Sequence, residues 1–171
     1  MEWKWKRNDI EINKPIEEFL ADVFDEELAK GYMINVAIGT DSQKSGVPGG
    51  YKFATVILIT TSEDLGGVTV GRGGIIIAAT YWNVFKQRHK ELVNERMVYE
   101  VSKSVEAAYD IAPLLDLYDI KLEIHADINP NPMYESNKAL QQAIGYILGM
   151  GYSFKIKPDA PASSNCADAL C

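Results

Sequence analysis

Apolar and polar positions follow two different periods along the chain, one typical of helices and one of strands. Between Pro15 and Gly31, four apolar residues recur at helical spacing: Ile16, Phe19, Leu20 and Val23. Three short apolar runs follow at residues 34–40, 53–61 and 68–80, joined by short polar or glycine-rich connections. Runs of this length and composition predict buried strands, and their short connections indicate an antiparallel meander.

The second half of the chain alternates between helical and strand patterns. Residues 88–115 carry a helical apolar stripe, and Pro113 is expected to break or end this helix. The pattern then predicts a strand at 120–128, a helix that begins at the N-cap Ser136 and ends at Met150, a strand at 152–157 and a short helix at 161–171. Strand–helix–strand crossovers imply parallel, right-handed connections.

These elements together predict an α/β fold. The expected sheet is mixed and five-stranded: a three-strand antiparallel meander plus two parallel strands, with helices on its faces. A chain of 171 residues is long enough for one well-packed domain and short for two. We therefore expect a single domain over residues 1–171, with residues 1–30 as a helical extension packed on it.

Composition and charge narrow the classes of function. The formal net charge is −7, which argues against a broad, basic protein that coats nucleic acid without regard to sequence. Every window of 18 residues contains a charge, which argues against a membrane span. The basic N-terminus lacks the apolar stretch of a signal peptide, and the two cysteines, Cys166 and Cys171, form no disulfide framework. A cytoplasmic protein is the expectation.

Two acidic residues stand where the pattern ends a strand. Asp41 follows the run 36–40, and Asp127 follows the fourth strand. Since the carboxyl ends of parallel strands lie at one edge of a sheet, the two carboxylates are expected to be neighbours there. Like charges so placed repel each other unless a cation or a proton relieves them, and Mg²⁺ or Mn²⁺ prefers such oxygen ligands.

Short motifs surround these acids along the chain. They are Gly39-Thr40-Asp41-Ser42-Gln43, the strand-end Asp127, Lys157-Pro158-Asp159, and Asn165-Cys166-Ala167-Asp168-Ala169-Leu170. In their order they resemble the ribonuclease H superfamily and, more narrowly, the YkuK-like family, which is ribonuclease H-like and of unknown function. The resemblance covers about residues 31–171.

The resemblance implies a set of four metal-binding carboxylates. By position they are Asp41, a glutamate on the helix after the third strand, Asp127 and Asp168. Glu100 is the preferred glutamate because small residues follow it along one helical face, and Glu91 and Glu95 remain alternatives. Asp159 stands near the place where ribonuclease H proper has a histidine. An aspartate there could bind a metal ion, although it is a poorer proton shuttle near neutral pH.

Two functions follow from this set. The first is a nuclease that uses Mg²⁺ or Mn²⁺ to hydrolyse phosphodiester bonds in RNA, DNA or their hybrid. The alternative is a non-catalytic binding or assembly module that retains the fold, which the acidic balance and the missing histidine favour. An actin-like ATPase shares this topology, but such proteins usually need two related domains.

Other polar residues carry weaker signals. His125 alternates with Asp127 and is expected on the same face of its strand. Lys155 and Lys157 could meet phosphate, or they could form the solvated face of an edge strand. The basic and aromatic residues 3–7 could stack on single-stranded nucleic acid, but a terminal strand or a segment that covers the core is the favoured interpretation.

Overall fold

The computed structural model describes residues 2–86, 89–129 and 137–171. The predicted N-cap Ser136 lies outside these ranges. Across the described ranges, no helix is both long and apolar enough to cross a membrane.

The elements follow the predicted order, with a short addition at the N-terminus. Two brief strands, β1 (Lys6–Arg7) and β2 (Ile10–Glu11), precede helix α1 (Ile16–Ala29). The remaining elements are β3 (Met33–Lys44), β4 (Gly50–Leu65), β5 (Val68–Val84), α2 (His89–Leu117), β6 (Leu122–Ala126), α3 (Asn137–Gly149) and β7 (Ser153–Ile156). The chain closes with a π-helical turn (Ala162–Ala167) and α4 (Asp168–Leu170). We call residues 162–171 the C-terminal segment.

The sheet is mixed, as predicted, and has strand order β2-β1-β5-β4-β3-β6-β7. Strands β3, β4 and β5 form the antiparallel meander, while β6 runs parallel to β3 and β7 runs parallel to β6. The strand count of five was wrong, because β1 and β2 extend the sheet beside β5 through the pair Lys6↔Ala78. Strands of two residues are too short to show an alternating pattern in the sequence.

Two predicted boundaries also differ from the structure. Strand β3 does not end before Asp41: its parallel pairing with β6 ends at Thr40↔Ala126, but its antiparallel pairing with β4 continues to Lys44↔Tyr51. Helix α2 passes through Pro113 and ends at Leu117. Pro113 cannot donate a hydrogen bond to the preceding turn, and only the last turn of α2 follows it.

The two faces of the sheet carry different layers. The main core contains Val36 and Ile38 of β3 together with apolar residues of α1, α2 and α3. A second apolar cluster on the opposite face joins Ala37 and Val56 to residues of the C-terminal segment. Because side chains alternate along a strand, the odd-numbered positions of β3 from Ala37 onward face this segment and the even-numbered ones face α2.

The aromatic residues near the N-terminus cover the core. Trp5 is buried in the main cluster, and its ring stacks on that of Trp3 with centroids 5.0 Å apart. This agrees with the favoured interpretation of residues 3–7, since a ring packed in the core is not free to stack on a base.

Candidate functional site

Asp41 lies in β3 at the point where the parallel partner β6 ends. Its side chain is on the face covered by the C-terminal segment, only 8% of the residue is exposed, and its Oδ1 accepts the backbone N–H of Ser42 at 2.8 Å. Burial, together with the nearby carboxylates of Asp127 and Asp168, raises the pKa of Asp41 to about 7. A buried aspartate beside two other acids needs a compensating cation or a proton.

Glu100 approaches the same strand from helix α2. The residue is 6% exposed, and its Oε1 accepts the Ser42 hydroxyl at 2.5 Å. Burial raises the pKa of Glu100 to about 8, with Asp41 as the next cause. Ser42 therefore links the two acids, because its backbone N–H bonds to one carboxylate and its hydroxyl to the other.

Asp127 follows the last residue of β6, and its Oδ1 lies 2.6 Å from the ammonium nitrogen of Lys157. Its negative charge also acts on Asp41 and Glu100. Lys157 follows β7, the strand next to β6, so the ion pair bridges the ends of two parallel neighbours.

Asp168 is the first residue of α4 in the C-terminal segment. Its Oδ1 accepts a hydrogen bond from the Gln43 side-chain amide at 3.1 Å. Gln43 is two residues beyond Asp41 and therefore on the same face of β3. The hydrogen bond brings the fourth predicted acid to the strand that carries the first.

Glu100 on α2, Asp127 after β6 and Asp168 on α4 thus each interact electrostatically with Asp41 on β3. The sheet beside which they lie is mixed. Helices α1, α2 and α3 cover one of its faces and the C-terminal segment covers the other. The family model described as Ribonuclease H-like matches residues 15–171. The chain belongs to the ribonuclease H-like family. No curated protein and no solved structure matches it.

Of the three candidate glutamates on α2, the structure describes the side chains of Glu95 and Glu100. Glu100 is buried beside Asp41, whereas Glu95 is exposed on α2, and the side chain of Glu91 lies outside the described residues. Asp159 is exposed in the turn after β7, and its role in the site stays a prediction. The narrower likeness to the YkuK-like family also stays a prediction.

Two basic side chains lie close to the acids. Lys157 pairs with Asp127, and Arg96 lies close to Glu100. Arg96 lies one helical turn before Glu100, with its Nε 3.7 Å from Glu100 Oε1 and its guanidinium over the Tyr51 ring at 5.1 Å. Its positive charge lowers the pKa of both Asp41 and Glu100, opposing the effect of burial. Arg96 was not among the residues predicted from the sequence, although its spacing of four residues from Glu100 is a recognised signal for an ion pair on a helix.

His125 has a structural contact at the edge of the site. Its ring is buried, its Nδ1 accepts the backbone N–H of Ala162 at 3.2 Å, and its Nε2 lies 3.1 Å from Glu123 Oε2. Burial lowers the pKa of His125. The histidine therefore holds the start of the C-terminal segment against β6.

The donor set fits a hard divalent cation, since all four acids offer carboxylate oxygens. In the part of the chain that the structure describes, no three His, Cys, Asp or Glu side chains are already arranged to hold a metal ion. Each acid instead has a protein partner: Ser42 for Asp41 and Glu100, Lys157 for Asp127, and Gln43 for Asp168.

Proposed function

We propose that this protein is a nuclease that depends on Mg²⁺ or Mn²⁺ and hydrolyses phosphodiester bonds at the edge of the sheet where β6 ends beside β3. The observation that carries the proposal is the burial of Asp41 and Glu100 together, joined through Ser42 and within the field of Asp127. Two buried carboxylates with raised pKa values favour a site that gains a multivalent cation.

The chain's own residues would act mainly by position and charge. Asp41, Glu100, Asp127 and Asp168 would hold the ions, and Ser42 would fix the first two carboxylates relative to each other. When bound, a pair of divalent ions supplies an activated water and stabilises the leaving oxygen. Arg96 would offset part of the negative charge of the acids, and no histidine is needed as a base.

The test is a cleavage assay with matched variants. RNA, single- and double-stranded DNA and an RNA–DNA hybrid are incubated with Mg²⁺ or Mn²⁺ and either the wild type or Asp41→Asn. We expect Asp41→Asn to reduce cleavage by about a hundredfold or more, because a carboxylate ligand is lost while the size of the side chain is kept.

Asp119→Asn is the control for this assay, because Asp119 is exposed after α2 and has a positive φ that asparagine also tolerates. The control is expected to cleave like the wild type. Equal behaviour of wild type and Asp41→Asn on every substrate would contradict the nuclease proposal.

One observation favours a second candidate, a ribonuclease H-like module that binds without catalysis. Lys157 already provides a cation for Asp127, and protein donors engage the other acids. Calorimetry with Mn²⁺ separates the two candidates. A wild type that binds no Mn²⁺, yet binds nucleic acid in EDTA, would favour the module over the nuclease.

A further inference from the structure

Lys157 is a cation supplied by the protein within the group of acids. Its Nζ lies 2.6 Å from Asp127 Oδ1. The ion pair therefore places a protein ammonium group on one of the four predicted metal-binding carboxylates.

The lysine end of the ion pair is accessible. The side chain of Lys157 is 48% exposed, so it can leave Asp127 without disturbing the core, whereas the side chain of Asp127 is only 18% exposed. A carboxylate so placed still needs a positive charge when the lysine leaves, and a divalent cation can supply it.

A lysine ammonium and a metal ion compete for the same carboxylate oxygen, because two cations at that distance repel each other. A displaced Lys157 side chain, still attached at the end of β7, would remain at the site and need another anion. If the site acts on nucleic acid, the anion that arrives with the substrate is its phosphate.

We propose that Lys157 is an exchangeable counter-ion, which pairs with Asp127 in the metal-free protein and with a phosphate of the nucleic acid once a divalent cation occupies Asp127. This inference rests on the proposed function for the metal and substrate classes. It adds a residue that touches the substrate and explains why Asp127 has a protein partner in the metal-free protein.

Lys155 provides a matched control. It lies in β7, two residues before Lys157, and its side chain is 47% exposed against 48% for Lys157. Its Nζ lies 3.1 Å from Glu123 Oε1, a carboxylate outside the set of four acids. Lys157→Met and Lys155→Met therefore remove the same charge at the same exposure, and only Lys157→Met removes it from Asp127.

The first measurement is calorimetric titration of the metal-free proteins with Mn²⁺. We expect Lys157→Met to bind Mn²⁺ about three- to tenfold more tightly than the wild type, because a competing charge is gone. Lys155→Met and the charge-conserving Lys157→Arg are expected to stay within about twofold of the wild type. Unchanged or weaker binding by Lys157→Met would overturn the proposal.

The second measurement is the affinity for nucleic acid in the presence of Mn²⁺, followed on ice by anisotropy of a labelled single-stranded RNA and of the matching RNA–DNA hybrid. We expect Lys157→Met to weaken binding about three- to tenfold and to lower the salt slope by about one. Lys155→Met should change both much less. Equal effects of the two variants would overturn the proposal, because loss of charge alone would then explain them.

Lys157→Met is expected to bind Mn²⁺ more tightly and nucleic acid more weakly. This pair of opposite shifts separates the counter-ion exchange from the proposed nuclease function. A structural lysine would not tighten metal binding and weaken substrate binding together. If both shifts occur but no substrate is cleaved, the counter-ion exchange stands and the nuclease proposal fails. If the wild type cleaves and the two lysine variants behave alike, only the exchange fails. If neither the wild type nor Lys157→Met binds Mn²⁺, both fail.

Discussion

Asp41 and Glu100 show how a single residue, Ser42, can organise a site. One short side chain and its own backbone N–H bond to two carboxylates that are 59 positions apart in the sequence, since Asp41 is residue 41 and Glu100 is residue 100. Both acids are buried, and burial is the first cause of their raised pKa values. In the metal-free protein, the burial of these carboxylates lowers the free energy of unfolding at high pH.

Asp41→Asn is expected to stabilise the metal-free protein by about 1–3 kcal/mol at about pH 8. The folded protein holds the Asp41 proton up to a pKa of about 7, while an aspartate in the unfolded chain has its ordinary pKa of 3.8. The free energy of unfolding of the wild type therefore falls as the pH rises between these values, and asparagine removes this contribution while its oxygen can still accept the Ser42 N–H. Urea unfolding in EDTA between about pH 4 and about pH 8 measures it.

Asp119→Asn serves again as the control, with an unfolding profile parallel to that of the wild type. An Asp41→Asn protein no more stable than the wild type at the upper end of this pH range would show that the buried Asp41 carboxylate does not destabilise the folded protein.

At the scale of elements, the site depends on how closely the C-terminal segment approaches β3. A Cβ on Gly39 would lie 2.4 Å from the backbone nitrogen of Ser163 and 2.6 Å from the carbonyl carbon of Ala162. Only a residue without a side chain permits this contact. The same contact sets the position of Asp168, which follows a few residues later in the segment.

Gly39→Ala is therefore expected to destabilise the protein by about 1–3 kcal/mol, because the backbone of the segment must move away from the strand. The displacement of Asp168 should also lower metal-dependent cleavage. Thermal unfolding and the cleavage assay measure the two effects.

Gly145→Ala is the comparison for this substitution, since a Cβ on Gly145 of α3 meets no atom within 4 Å. It should be neutral or up to about 1 kcal/mol more stable, as alanine favours a helix. A Gly39→Ala protein as stable as Gly145→Ala would show that the segment does not need this close approach.

At the scale of the whole molecule, the net negative charge opposes the approach of nucleic acid. A protein with a formal net charge of −7 repels nucleic acid at long range. Divalent ions at the four acids would reduce this charge locally, where a phosphate must approach. Metal binding should consequently be linked both to stability and to the affinity for nucleic acid.

Mn²⁺ at a hundred times its Kd is expected to stabilise the wild type by about 2.7 kcal/mol. For a chain of this length that corresponds to a rise in Tm of about 5–10 °C. Scanning calorimetry with Mn²⁺ and with EDTA measures the shift, and Asp41→Asn should lose most of it. An equal rise in both proteins would place the bound ion elsewhere.

Much of the architecture was predictable from the local pattern of the chain. The strands β3 to β7 and the helices between them follow from apolar periodicity, because a pattern of burial repeats within each element. The parallel direction of β6 follows from the crossover from β5 through α2, whereas its place beside β3 does not. The N-terminal hairpin and the continuation of β3 beyond Asp41 were missed, since pairing with a distant strand, not local pattern, defines them.

The amino-acid sequence by itself determined which acids are candidates: Asp41 and Asp127 from their places beside strands, and Glu100 and Asp168 through the likeness to the ribonuclease H superfamily. Only the tertiary structure decided what each acid contacts. It buried Glu100 against Ser42, set Lys157 on Asp127 and brought Gln43 to Asp168. The physical reason is distance along the chain: residues 30 to 125 positions apart meet only when the whole sheet and both of its layers are packed.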